Sequence, residues 1–381
     1  MEQALSNIEL NTIEEAIDEI KAGKVVIVVD DEDRENEGDF VAAAETITPE
    51  VINFMATHGR GLICSPITQD RARALGLSRM VNENTDIHGT AFTVSIDYRL
   101  KGCTTGISAY DRATGIKALV DDKTLPSDYN KPGHIFPLIA KAGGVLRRTG
   151  HTEATVDLAK LAGFKPAGVL VEILNQDGTM ARLPQLVQIA KQHDLKIITI
   201  KDLVAWRMER ERLIEIKNSF PIQTACGEFE MITIKEKNSG RSHIAFKKGD
   251  WEVGDPVLTR VHSSTNSAEL LTFMLKGEDH EFYKTLHKIN EEGQGLLLLL
   301  RQEDKEDTLE QSLDLLMQQT KNGEKIDLFP KNTQTIQRDL GIGAQILFDL
   351  KIRKMRLLTN SKRKRVGLVG YSLEVVETVP I

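Results

Sequence analysis

Ten consecutive residues, Asp30 to Asp39 (DDEDRENEGD), constrain this chain more than any other stretch: seven are carboxylates, one is arginine, and Gly38 precedes the last aspartate. The segment KVVIVVD runs directly into them, a β-branched apolar run that predicts a buried strand with the acids in the loop at its carboxyl end. Strand ends of that kind are where α/β proteins bind ligands. Carboxylates at this density repel one another unless a cation or ordered donors hold them, and oxygen-only donor sets suit hard ions such as Mg²⁺ or Mn²⁺. A catalytic divalent-metal loop is the expectation. A solvated acidic loop is the alternative, and the strand and the Gly38 turn weigh against it.

At 381 residues the chain is long for a single core, so two domains of roughly 150 to 200 residues are expected. A formal net charge of -7 argues against general affinity for nucleic acid or for anionic membranes, so any phosphate site is local. Cys64, Cys103 and Cys226 share no metal-ligand spacing and cannot all pair, which fits a reducing cytoplasm. The acidic N-terminal segment has helical periodicity and no leader-like apolar region, and no apolar run reaches membrane-spanning length. A cytoplasmic location is expected.

Asn11 and Thr12 can cap a helix running to about Ala22. Val41 to Ala44 is expected to pair with the first strand, and Gly61 to Thr68 reads as a second buried strand carrying Cys64, as filler or as nucleophile. Ala91 to Asp97 alternates like a half-buried strand. The loop from Cys103 to Thr114 gathers Thr104, Thr105, Gly106, Ser108 and Arg112 ahead of a helix, either as an anion cradle or as a capped loop. In RRTGHTEA, Arg148, Gly150 and Thr152 suit a phosphate at a helix start, while His151 is a metal ligand or a structural histidine. Ala167 to Leu174 is a buried strand with one acid, Glu172, which is either paired or working. Leu183 to His193 reads as a helix and LKIITI as the next strand, which places residues 1 to 200 in the mixed α/β class.

DDEDRENEGD, HGTAFTVSID, TTGISAYDRAT, GHIFPL, RRTGHTEA and VEILNQDGTMAR together resemble 3,4-dihydroxy-2-butanone 4-phosphate synthase of riboflavin biosynthesis, over essentially all of residues 1 to 200. The resemblance implies a synthase domain of α+β type at residues 1 to 204. It implies a Mg²⁺-dependent (or Mn²⁺-dependent) conversion of D-ribulose 5-phosphate to 3,4-dihydroxy-2-butanone 4-phosphate and formate, with two ions per site, in a homodimer whose sites lie near the subunit interface. Carried onto this sequence, it implies that Glu35 and His151 hold metal and that Arg34 and Asp39 contact the sugar. Arg148, Thr149, Gly150 and Thr152 hold the phosphate end, with Glu35 and His151 also touching substrate. His134 and Glu172 serve catalysis, and Asp30, Glu32 and Cys64 line the site, with Asp30, Glu32 or His134 as the first base.

Residues 201 to 220 are charged and read as a helix joining two domains, and residues 205 to 381 resemble GTP cyclohydrolase II through TRVHS, LRQE, LGIGAQILFDL, RKMRLLTN and GLVGYSLEVVETVPI. That family holds a catalytic zinc with three cysteines after RVHS, and Thr265, Lys276 and Glu278 stand at those places here. The domain's single cysteine, Cys226, lies well upstream. EDKEDTL replaces a glycine-rich EGRGIGL, and Ile336 replaces an acid, while Arg338, Thr359 and Lys364 keep nucleotide-contact positions. The expectation is an inactive α/β domain without zinc that stabilises a dimer, binds a regulatory nucleotide or docks another pathway enzyme; the alternatives are a bifunctional enzyme that keeps GTP cyclohydrolase II activity through altered ligands, and a regulatory or scaffold protein of the pathway. The basic run Lys362 to Arg365 sits beside that phosphate-contact loop, so it is not read as a nucleic-acid patch.

Overall fold

The structure is a computed structural model and describes residues 10–32, 34–86, 88–237, 239–264, 280–301, 340–360 and 371–381. It divides into two compact units, Met1–Arg210 and Glu211–Ile381. Thr265, Lys276, Glu278, the EDKEDTL segment, Ile336, Arg338 and the run Lys362 to Arg365 lie outside the described residues.

The first unit is a seven-stranded mixed sheet with helices packed on it. Its strands are β1 (Val26–Val29), β2 (Gly38–Ala43), β3 (Cys64–Thr68), β4 (Ile96–Tyr98), β5 (Tyr129–Ala140), β6 (Gly168–Glu172) and β7 (Ile197–Thr199), in the order β4-β5-β3-β6-β2-β1-β7. β1 and β2 are antiparallel with Val29 opposite Gly38, so the acid loop is the connection of a hairpin that lies between the middle strand β6 and the edge strand β7. Both strands are buried throughout, as their continuous apolar runs require. β6 pairs antiparallel with β2 and puts Glu172 directly opposite Asp39.

The helices are α1 (Ile13–Lys21), α2 (Pro49–Gly59), α3 (Gln69–Ala74), α4 (Ala109–Leu119), α5 (His151–Leu161), α6 (Leu183–His193) and α7 (Ile200–Arg210). Thr12 and Glu15 close a capping box on α1, the start that the sequence marks. α5 is buried from His151 through Ala159, the central helix against which the sheet packs.

Two expectations change. The strand over Ala91 to Asp97 shortens to Ile96–Tyr98, because the preceding backbone divides its bonds: Thr93 N donates to Pro137 O and Val94 N to Ser78 O. The helix expected over 201 to 220 ends at Arg210, and Ile214–Thr224 is a strand. The exposure of this edge strand gives it the composition of a solvated helix. The expected boundary at residue 204 falls inside α7.

The second unit is another seven-stranded sheet. β8 (Ile214–Thr224), β9 (Gly227–Glu236), β10 (Ser242–Lys248), β11 (Pro256–Ser264), β12 (Gly295–Arg301), β13 (Lys354–Leu358) and β14 (Glu374–Val379) lie in the order β14-β13-β11-β12-β10-β9-β8. Pairing is antiparallel from β8 to β12 and parallel from β12 to β14, with helices α8 (Glu281–Glu292) and α9 (Leu340–Asp349). Among the described residues no helix is long and apolar enough to cross a membrane.

Candidate active site

Hairpin geometry turns part of the acid loop inward. Asp30 accepts from Glu37 N at 2.8 Å and Glu35 N at 3.2 Å, and its Oδ2 meets Arg34 Nη1 at 2.7 Å. Arg34 Nη2 lies 2.9 Å from Glu35 Oε1, so this arginine is engaged with two loop acids. Arg182 donates to the backbone carbonyls of Glu35 and Asn36, pinning the loop from outside.

His151 opens α5, and its Nε2 is 3.1 Å from Val28 O. A carbonyl only accepts, so Nε2 carries the hydrogen and Nδ1 presents a lone pair, 3.9 Å from Asp39 Oδ2. Burial drives the His151 pKa down against the pull of Asp30, which favours the neutral, ligating form. One ligand atom from each of Asp30, Glu35 and His151 lies within 4.8 Å of the other two. Two carboxylates and a neutral imidazole fit a divalent cation, and the surrounding charge asks for one. Asp39 is pushed well above the usual carboxylate range by burial, then by Glu172, Glu35, Asp30 and Glu37.

Glu172 is likewise pushed up by burial, and its Oε2 accepts from Leu62 N at 2.8 Å. A Cβ on Gly61 would stand 2.4 Å from that oxygen, so the close approach requires glycine. Burial, then Glu172 and Asp39, push the Cys64 thiol up, so Cys64 stays protonated.

The second cluster is the loop leading into α5. Arg148 Nη1 lies 2.6 Å from Glu153 Oε2, and Nη2 donates to His88 O at 3.2 Å. His88 Nδ1 is in turn 3.7 Å from Glu35 Oε1, so the His88–Thr90 segment bridges the acid loop and the Arg148 loop. Gly150 is the N-cap of α5, where a Cβ would meet Arg148 Nη1 at 2.3 Å, and Thr152 is buried in the first turn. Thr149 is half-buried beside them. Beneath the loop, Asp157 Oδ2 accepts from Val145 N at 2.7 Å and pairs with Arg207 Nη1 at 2.6 Å. Burial, against the pull of Arg207, pushes Asp157 up to about 6. The native state therefore keeps a proton that an unfolded aspartate releases near pH 4, and stability falls as pH rises from about 4 to about 6. Urea unfolding should show the stability of the native chain falling relative to that of Asp157→Asn as pH rises across that range.

Other expected residues stand apart. His134 Nδ1 is 2.8 Å from Asp97 Oδ2 and its N–H donates to Asp97 Oδ1, yet among the described residues no hydrogen bond or ion pair joins this pair to the acid cluster. Glu32 is exposed and is not among the three clustered ligands. Thr104 and Ser108 are used within their own loop: Asp111 accepts from Thr104 N, Thr104 Oγ1 and Gly106 N, and Ser108 caps α4. That is the capped loop, not the anion cradle. Asp97, Arg182, His88 and Glu153 were not singled out as site residues, although HGTAFTVSID, RRTGHTEA and VEILNQDGTMAR contain them.

In a mixed α/β domain, this arrangement sets three candidate ligands for a divalent cation, Asp30, Glu35 and His151, beside the start of α5. Residues 14–206 match the profile of 3,4-dihydroxy-2-butanone 4-phosphate synthase, and residues 215–380 match that of GTP cyclohydrolase II. The chain belongs to the 3,4-dihydroxy-2-butanone 4-phosphate synthase family, with a GTP cyclohydrolase II domain fused behind the synthase domain, and is a lyase of riboflavin biosynthesis. It is 49% identical to the riboflavin biosynthesis protein RibBA of Parabacteroides distasonis over 99% of this chain and 93% of that one. It is 51% identical to RibBA of Bacillus mycoides over 97% and 93%. Among solved structures, RibBX of A. baumannii, a two-domain 3,4-dihydroxy-2-butanone 4-phosphate synthase, aligns with a TM-score of 0.65 at 38% identity over 93% of this chain and 95% of that one. A synthase in complex with two magnesium ions aligns with a TM-score of 0.51 at 43% identity over 52% of this chain and 98% of that one.

Proposed function

We propose that the first domain converts D-ribulose 5-phosphate to 3,4-dihydroxy-2-butanone 4-phosphate and formate at the Asp30, Glu35 and His151 cluster, and that the second domain is not catalytic. The convergence of those three ligand atoms within 4.8 Å carries the first half. The relative that binds two magnesium ions supports Mg²⁺ here, two ions per site being part of the proposal and Mn²⁺ an alternative ion. A bound cation supplies Lewis-acid polarisation of the ketose carbonyl and its neighbouring hydroxyl. Glu35 and the Nδ1 lone pair of His151 would hold the cation, and Asp30, the third member of the cluster, also fixes the loop that presents Glu35. Asp39 and Glu172, opposite each other on adjacent strands, are placed to hold and move a proton beside the cation. His134, oriented by Asp97, presents Nε2 as a further base. Cys64, as a thiol, lines the site. Arg148, Thr149, Gly150 and Thr152 hold the phosphate at the start of α5. Arg34 and Asp39, on either side of Glu35 in the chain, contact the sugar.

The proposal includes a homodimer. The exposure of His134 supports it, as do Met80, Val81, Leu100, Ile107 and Tyr110, large apolar side chains exposed in the same unit.

For the second domain, opening the imidazole ring of GTP calls for a zinc-activated water, and thiolates hold that zinc in the family. Cys226 is the only cysteine after Cys103, and it is buried in the turn between β8 and β9 with its Sγ 3.6 Å from Tyr283 O. The description of the A. baumannii relative as a two-domain synthase supports the reading. The profile match over residues 215–380 favours a second reading, a bifunctional enzyme that keeps GTP cyclohydrolase activity through other ligands. Retained nucleotide binding is compatible with either.

Metal removal tests the first half. With Mg²⁺ the purified chain should release one formate per ribulose 5-phosphate consumed, EDTA should abolish release, and added Mg²⁺ should restore it. Full turnover in EDTA would remove the metal from the account.

A further inference from the structure

We infer that Arg207, in the last helix of the synthase domain, is a positioning residue that sets the loop holding the substrate's phosphate; this rests on the reading of Arg148, Thr149 and Gly150 as that loop. Two buried acids one turn apart on α5 hold the backbone of residues 141–150. Glu153 Oε1 accepts from Lys141 N at 2.9 Å while its Oε2 takes Arg148. Asp157 Oδ2 accepts from Val145 N, and Arg207 Nη1 meets that same oxygen and also donates to Gly143 O at 3.0 Å. Arg207 is 4% exposed and Asp157 5%, so no solvent is at hand to replace the pair.

The contact is with loop backbone. Gly144 has φ +62, and a Cβ there would stand 2.0 Å from Asp157 Oδ1, so the carboxylate lies directly against the turn. Arg147 N and Arg148 N both donate to Gly144 O, so the turn that Arg207 clamps is the one from which Arg148 projects. A guanidinium bridging a carboxylate and a carbonyl is a planar, two-acceptor arrangement that an ammonium does not reproduce. A shift of Gly143 and Gly144 therefore moves the backbone from which Arg148 reaches Glu153, and with it the backbone of Thr149 and Gly150 that follows.

The test uses the full chain. R207M leaves Asp157 buried without its cation, so the informative variant is R207M/D157N, which removes both charges; R207K is the second variant, should the double not fold. The double variant is expected to unfold near the wild-type temperature while its KM for ribulose 5-phosphate rises at least about tenfold, with kcat within about threefold. Inorganic phosphate, as a competitive inhibitor, should weaken by the same factor. R207K should fall between wild type and the double. Wild-type KM and phosphate inhibition in a folded double variant or in R207K would overturn the inference. R148A is the control: if it also leaves KM unchanged, the phosphate-loop reading itself fails, whereas a raised KM in R148A alone isolates the failure to Arg207.

Discussion

Glu35→Gln is expected to reduce formate release from ribulose 5-phosphate by about 10²- to 10³-fold, the range seen when one preorganised electrostatic group is lost. The fold should barely register the change. Glu35 is held through its backbone, its N–H bonding Asp30 and its carbonyl accepting from Arg182, and both bonds survive the substitution. Arg34 loses one carboxylate partner but keeps Asp30 at 2.7 Å. The loss therefore falls on the ligand set: one negative oxygen fewer beside His151. Raising Mg²⁺ should recover part of the rate if the defect is in affinity. Turnover at the wild-type level would remove Glu35 from the metal site.

Shortening the chain separates two boundaries that differ by one helical turn and a half. A chain ending after Arg210 keeps all of α7 and should retain stability and synthase activity. A chain ending after Val204 loses Arg207, the cation of a buried pair, and Met208, which is 2% exposed. Breaking such a pair by removing one partner costs about 3–5 kcal/mol, a large part of the roughly 5–15 kcal/mol that holds a domain together. The shorter chain should unfold at markedly lower urea concentration and lose most of its activity. Equal midpoints and equal rates for the two would contradict the account of Arg207.

Local signals were legible in the sequence. Charge density marked the acid loop, a single acid in an apolar run marked Glu172, and a glycine ahead of a helix start marked Gly150. Partner choice was not legible, because it joins residues far apart in the chain. Asp97 orients His134, Arg182 pins the Glu35 backbone, and Arg207 answers Asp157, and no local pattern announces any of them. Charge density also treats all acids alike. Hairpin register distinguishes them, since pairing Val29 with Gly38 brings Asp39 inside opposite Glu172 and leaves Glu32 in solvent. The first part of the edge strand Ile214–Thr224 has the pattern of a helix for a related reason, its exposure on both faces removing the alternation that marks a half-buried strand. For the second domain the legible signal is a count: one cysteine, Cys226, cannot supply three thiolates, and the proposal that this domain is not catalytic rests on it.

On the proposed function, the chain works at one site, in its first domain. The most direct measurement is formate released by the purified full chain from ribulose 5-phosphate and, separately, from GTP, with Mg²⁺ present and with zinc added to the second reaction. The account predicts turnover of ribulose 5-phosphate and none of GTP. Formate from GTP, or none from ribulose 5-phosphate, would contradict it.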